Sequence, residues 1–218
     1  MPRLRFEKVG AAVWMSHLDL MRVFQRAFKR AGLPLKHTQG FNPRPSVSIA
    51  LPMSVGVESV CELLDFDLDG VSVPCDDILA RLNPCLVTGV RGLEVYENGS
   101  KLRNLAYLDC QVFLEYDAGI PAGAEAQIDA LFRRPTLPME KHGKNGPQMQ
   151  DLIPMIRRLS LAADGNTLVL SARVCCQNPT LNPAQLAAAV DEYLPAFRPD
   201  FAHCRRLELY NQNETIFR

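Results

Sequence analysis

A chain of 218 residues with 47% apolar and 22% charged side chains has room for one large domain or two small ones with a real core, and this composition excludes a disordered polypeptide. No window approaches the 18 or so uninterrupted apolar residues of a membrane span, and the opening MPRLRFEKVG lacks the apolar core of a signal peptide, so a cytoplasmic location and no membrane partner are expected. The formal net charge of zero hides an asymmetry: residues 1–46 carry nine Lys/Arg against Glu7 and Asp19, whereas residues 47–100 carry Arg81 and Arg91 against nine acids. Such a layout is either matched within the chain or offers a cationic face to nucleic acid.

In chain order, Leu4 and Phe6 alternate with Arg3, Arg5 and Glu7, the pattern of a half-buried strand. The run Ala11–Met15 is expected to continue that strand or to pair back on it as a hairpin. Ser16 is placed as a helix N-cap, with Asp19 three residues on in a capping-box position. The spacing of Leu20, Phe24, Ala27, Phe28 and Ala31 predicts an amphipathic helix over 17–31, closed by Gly32 and blocked by Pro34.

Residues 36–45, KHTQGFNPRP, are rich in turn formers. Val47, Ile49 and Leu51 then alternate as a strand, and a second strand runs from near Val60 through CELLDFDL to the turn at Asp69-Gly70. Alternation puts Asp65, Asp67 and Asp69 on one face, where the expectation is a solvated acidic face protecting an edge strand. Pro74 to Asp77 opens a helix to about Asn83, its acids suited to the positive helix end. A strand near 89–96 follows, and Glu97–Ser100 reads as a boundary turn.

The second half repeats the order. A strand over 105–116, a helix over 125–132 after the flexible GIPAGA, and a loop-rich insertion or irregular hairpin near 135–155 come first, with Lys141, His142 and Lys144 near its tip. Strands over 158–162 and 167–174 flank the Asp164-Gly165-Asn166 turn as a hairpin. A helix from Asn182-Pro183 to Tyr193 and a strand over 205–210 complete it. The fold class expected is α+β, with two ferredoxin-like βαββαβ repeats in domains 1–99 and 100–218, each an antiparallel sheet covered by helices on one face.

The densest cluster of cationic and hydrogen-bonding side chains is Trp14–Pro45. Arg22, Arg26 and Arg30 recur at i, i+4 and i+8 beside Gln25 and Lys29, and a guanidinium donates to phosphate in a planar fork. In the following loop His37, Gln39 and Asn42 suit base edges or 2′-hydroxyls, Phe41 suits stacking or a core anchor, and Lys36 and Arg44 suit phosphate. His17 and His37 are the candidates for acid–base work, since imidazole titrates near neutral pH. Seven cysteines at 61, 75, 85, 110, 175, 176 and 204 include no CxxC pair, so reduced thiols are expected rather than a metal or cluster site. The patterns GxxxxGK[ST], GxSxG and HExxH are also missing.

The stretch SHLDLMRVFQRAFKRAGLPLKHTQGFNPRPSVSIALPMSVGVES, with DLIPMIRRLSL at 151–161, resembles the bacterial radical-SAM-linked family, a domain of unknown function found beside or fused to a B12-binding radical SAM protein. Ser16, His17, Asp19, Arg22, Gly40, Phe41, Asn42 and Pro43 match its motif. The resemblance implies that iron–sulfur cluster, S-adenosylmethionine and cobalamin reside in that partner, with none in this chain, and that the motif residues present substrate. The doubled layout also resembles CRISPR repeat-processing RNA endonucleases, as a fold analogy. Three functions are therefore carried forward: an accessory module presenting RNA, ribosomal or transfer RNA, to the radical SAM enzyme; a subunit docking on that enzyme without RNA contact; and a metal-independent RNA endonuclease using His17 or His37.

Overall fold

The computed structural model describes residues 1–70, 72–143 and 146–218. Two compact units are distinguished, Met1–Leu102 together with Arg218, and Arg103–Phe217. Both are mixed α+β, and the four α-helices among the described residues divide equally between them.

In the first unit, β1 (Arg3–Lys8), α1 (His17–Arg30), β2 (Val47–Ile49), β3 (Val57–Phe66), α2 (Cys75–Leu82) and β4 (Val90–Tyr96) follow in order. The strands pair antiparallel in the order β4-β1-β3-β2. The register sets Leu4 opposite Leu64 and Phe6 opposite Glu62, so Leu4 and Phe6 share one face of the sheet. Onto that face α1 lays Leu20, Phe24, Ala27 and Phe28, all buried. Phe24 meets Phe6 edge-on with ring centroids 4.7 Å apart, and Phe28 meets Phe66 at 4.8 Å. Each such pair adds about 1 kcal/mol beyond burial of its area.

Two expectations fail here. The run after β1 neither extends the strand nor returns as a hairpin: Gly10–Trp14 is a turn of 3₁₀ helix. Gly10 at φ +56° turns the chain out of the strand, and bonds from the Ala12 N–H to the Val9 carbonyl (3.2 Å) and from Met15 N–H to Ala12 carbonyl (3.0 Å) hold the coil. Nor is the acidic strand an edge. β3 lies between β1 and β2, with Cys61 to Leu64 buried in succession. Its carboxylates serve pairing within the unit: Arg3 forks onto Asp65 at 2.6 and 3.0 Å.

In the second unit, β5 (Leu105–Glu115), α3 (Ala124–Phe132), β6 (Pro138–Gly143), β7 (Gly146–Asp151), β8 (Ile156–Asp164), β9 (Thr167–Cys175), α4 (Ala184–Tyr193) and β10 (Phe201–Asn211) follow. Four strands pair antiparallel in the order β10-β5-β9-β8. Leu108, Cys110, Val112 and Leu114 of β5 align with Val174, Ala172, Leu170 and Leu168 of β9, and all eight are buried. From the helices, Ile128 and Leu131 of α3 and Leu186, Ala189 and Val190 of α4 are buried as well. Burial pushes the Cys110 thiol up to about 12 and Cys204 to about 11, so both are inert apolar side chains near neutral pH.

Within 135–155, β6 and β7 pair antiparallel as a two-stranded ribbon, and a 3₁₀ turn follows at Ile153–Met155. This ribbon is held by the Lys141 ammonium and the Gln150 amide on the Thr180 carbonyl (3.2 and 3.1 Å) and by the Tyr193 hydroxyl on the Pro138 carbonyl at 2.6 Å. Lys144 and the side chain of His142 lie outside the described residues.

The other face of the β5–β9 pair carries a charged network. Arg173, nearly buried, donates to both oxygens of Asp109 (2.8 and 3.0 Å) and to Glu214 (2.9 Å), and lies 3.6 Å over the Tyr210 ring. Arg158 donates to Asp109 at 2.7 Å. Burial alone would raise the Asp109 pKa, but hydrogen bonds and charge from Arg173, with Tyr210 and Arg158, outweigh it and hold the carboxyl below its ordinary value. Asp109→Asn is therefore expected to destabilise the protein by about 3 kcal/mol near neutral pH, read from the denaturant midpoint. Because the folded pKa is the lower one, this contribution is complete above the unfolded carboxylate pKa and is lost as pH falls through the folded value. The gap between wild type and D109N narrows below about pH 4; a gap independent of pH rejects the assignment.

Candidate functional site

The cations of α1 do not act as one stripe. At its start the Ser16 hydroxyl accepts from the Asp19 N–H (3.2 Å) and donates to the Asp19 carboxylate (2.7 Å), which forms the N-cap. That bond, with a lesser one from Arg22, keeps Asp19 below its ordinary pKa. Arg22 is engaged with Asp19 at 3.1 Å, and Arg30 donates to the Cys85 carbonyl. Arg26 and Lys29 remain: both are exposed, and neither forms an ion pair among the described residues. These two are the helix cations whose side chains have neither an ion-pair nor a hydrogen-bond partner among the described residues.

The end of α1 is closed twice. Gly32 adopts φ +65°, and the Gly32 and Leu33 N–H groups return to the Lys29 and Phe28 carbonyls at 3.2 and 2.9 Å, the pattern of a Schellman turn. Arg81 of α2 then forks onto the last carbonyls, at 2.8 and 3.1 Å from Ala31 and 2.7 Å from Gly32. A fixed cation at the negative end of the helix is favourable, and it locks the direction in which Leu33 leaves.

From there the chain builds a two-stranded ribbon. Lys36 N–H donates to the Asp67 carbonyl (2.8 Å), Asp67 N–H to Ser46 (3.1 Å) and Ser46 N–H to Lys36 (2.6 Å), which laces the ribbon's base to the chain just past β3. Bridges pair Leu35 with Leu68 and His37 with Pro45, while Thr38 and Arg44 bond across the ribbon at 2.9 and 3.0 Å. Lys36 lies 3.7 Å from Asp67, so its charge is partly answered. Gln39, Gly40, Phe41, Asn42 and Pro43 make the exposed tip, and Phe41 is wholly exposed. The core-anchor alternative for Phe41 is thereby removed.

Between helix and ribbon lies a cavity of about 450 Å³. Buried Leu33 and Leu35 give it apolar walls together with Pro34 and Pro45, and Gln25, Lys29 and His37 bring its polar groups. Two parts that the sequence presents separately, the helix cations and the loop, thus meet through Lys29 and His37. Gln39 and Asn42 stay at the tip, Arg44 in the ribbon opposite Thr38, and Arg26 on the helix surface. His17 is distant: twelve residues of α1 separate it from Lys29, roughly 18 Å of helix. Its Nδ1 is buried without a hydrogen-bond partner among the described residues.

Sequence reasoning missed the cavity walls and Arg81. The walls carry no polar signature, and Arg81 lies about fifty residues from the carbonyls it holds. The consequence is measurable. Arg81→Ala is expected to lower stability by about 1 kcal/mol and to speed amide hydrogen exchange at Gly32 and Leu33. Unchanged exchange there would show that the fork does not hold the turn.

Among solved structures, a chain of one described as "Crystal Structure of a Cbf5-Nop10-Gar1 Complex" is similar in fold, with a TM-score of 0.52 at 9% identity over 95% of this chain. The present chain spans about half of it, 48% of its length, and at that identity the likeness concerns fold alone. No curated protein matches in sequence. A family model does, over residues 2–183, and the chain belongs to that family, the uncharacterized proteins conserved in bacteria designated DUF2344.

Proposed function

We propose that the chain is an accessory RNA-binding module, built from two ferredoxin-like repeats, that presents ribosomal or transfer RNA to a B12-binding radical SAM enzyme in the cytoplasm. The repeats are supported by the β-α-β-β-α-β succession of the first unit with strand order β4-β1-β3-β2, and by the order β10-β5-β9-β8 of the second. The RNA reading is carried by one observation: unpaired Lys29 of α1 and His37 of the ribbon line a single cavity, with Arg26 beside it on the helix and Phe41 free at the tip. Cations without internal partners, an exposed ring and amide-bearing side chains are what single-stranded RNA engages. Cluster, S-adenosylmethionine and cobalamin would be supplied by the partner.

The test is a binding titration with a transfer RNA transcript and a ribosomal RNA fragment at two salt concentrations. Binding is expected to weaken with salt. The Arg26→Ala, Lys29→Ala double variant should bind about tenfold less at low salt and show a salt slope shallower by roughly 1–2. No binding, or binding indifferent to both substitutions, overturns the reading.

A second reading, docking on the enzyme without RNA contact, is favoured by a different surface. Trp14, Leu18 and Val55 are large apolar side chains left more than half exposed (66%, 66% and 53%), and Trp14 lies beside Gly56. Large apolar side chains left exposed in this number close together in the chain are candidates for protein contacts. Leu18→Glu should abolish co-purification with the radical SAM enzyme while leaving RNA binding intact; retained co-purification removes the patch from consideration.

A further inference from the structure

The cavity beside α1 has a composition more specific than a phosphate site requires. A surface that holds only a sugar–phosphate backbone needs cations and no apolar interior. Here the apolar lining that a ligand can reach is the rings of Pro34 and Pro45, with buried Leu33 and Leu35 packed beneath them, and Lys29 and His37 bring the nitrogen groups. The volume, about 450 Å³, falls in the range of small-molecule sites and leaves room for one nucleotide. The cavity is also rigidly framed. Leu33 follows the Schellman turn, Leu35 is bridged to Leu68, and His37 is bridged to Pro45.

Resting on the RNA reading above, we infer that this cavity seats one unstacked nucleotide of the bound RNA, with its base between the apolar walls and its phosphate on Lys29 and His37. The base has an apolar face and a polar edge, and the walls supply the complement of the face. Gln25 supplies the complement of the edge. With the purine's Hoogsteen edge turned to it, its amide, one donor and one acceptor side by side, pairs with adenine N7 and N6–H and not with guanine, which presents the two adjacent acceptors N7 and O6 on that edge. Lys29 is exposed and forms no ion pair among the described residues, so its ammonium meets a phosphate with no internal competitor. Unstacking the nucleotide requires a polymer already held nearby, and Arg26 and the ribbon tip are placed to hold the flanking residues.

Calorimetric titration of the full chain with adenosine 5′-monophosphate, adenosine, guanosine 5′-monophosphate and inorganic phosphate tests this. Adenosine monophosphate is expected to bind at least tenfold more tightly than either adenosine or phosphate. Lys29→Ala should reduce it to the level of adenosine, and Gln25→Ala should erase its preference over guanosine monophosphate. Gln25 and Lys29 lie on the outer part of the helix, and an unchanged thermal midpoint would confirm that both variants fold. Adenosine monophosphate binding no better than phosphate overturns the inference, even where the RNA titration succeeds. Equal binding of the two monophosphates overturns the assignment of Gln25. Nucleotide binding without RNA binding would support the cavity while sinking the RNA reading, so the two failures are distinguishable.

Discussion

The first unit depends on how α1 ends. A helix of fourteen residues leaves its last carbonyls unanswered, and here two independent devices answer them: the left-handed Gly32 and the Arg81 guanidinium. Neither is a strong interaction alone, each worth about 1 kcal/mol. Together they fix the heading of the chain over three residues, and that heading decides everything beyond it. Leu33 and Leu35 become cavity walls, Lys36 reaches the Asp67 carbonyl, and the ribbon is carried out beside the helix surface. A different exit from α1 would leave the same side chains with no shared space.

Electrostatics in this unit is better described by subtraction than by totals. The cationic first segment and the acidic second one answer each other in part: Arg3 with Asp65, Lys36 with Asp67, Arg5 with Glu94 at 3.6 Å. Arg22 is taken up locally by Asp19, and Arg30 by a carbonyl. The Arg3 fork, with its side chain only 6% exposed, has structural weight; the exposed pairs are worth little. Of the cations of residues 1–46, Arg26, Lys29 and Arg44 are left with no side-chain partner among the described residues, and they lie on the helix and the ribbon that enclose the cavity. Position, rather than total charge, marks the surface.

Local rules were legible in the sequence. The 3.6-residue spacing placed α1 to within a residue, Ser16 and Gly32 marked its ends, and the Asp164-Gly165-Asn166 turn announced β8 and β9. The mixed α+β class followed from the same patterns. Long-range facts were not legible. Alternation in CELLDFDL is equally compatible with an edge or an interior strand, since period two reports faces and not neighbours. The apolar run after Gly10 looked like strand because its composition is that of one; a single left-handed glycine overrode it. At the site, the sequence named Lys29 and His37 but could not show that they share a cavity, because their meeting depends on Arg81 and on hydrogen bonds to Asp67.

The same subtraction bears on how much such a surface can do alone. On the proposed reading two or three uncompensated cations contact phosphate, and each contributes a salt slope of about 0.7–0.9, well short of the six to ten contacts of a tight, self-sufficient nucleic-acid binder. One seated base and one stacked Phe41 add about 1–3 kcal/mol apiece. A module of that strength holds RNA weakly when free. Joined to a partner with its own RNA contacts it gains by effective concentration, since the second contact becomes intramolecular and overall affinity rises by orders of magnitude without any new interaction. On that proposal, weak cationic recognition at the cavity and apolar attachment through Trp14, Leu18 and Val55 would be complementary rather than competing roles, one for a substrate and the other for a partner protein.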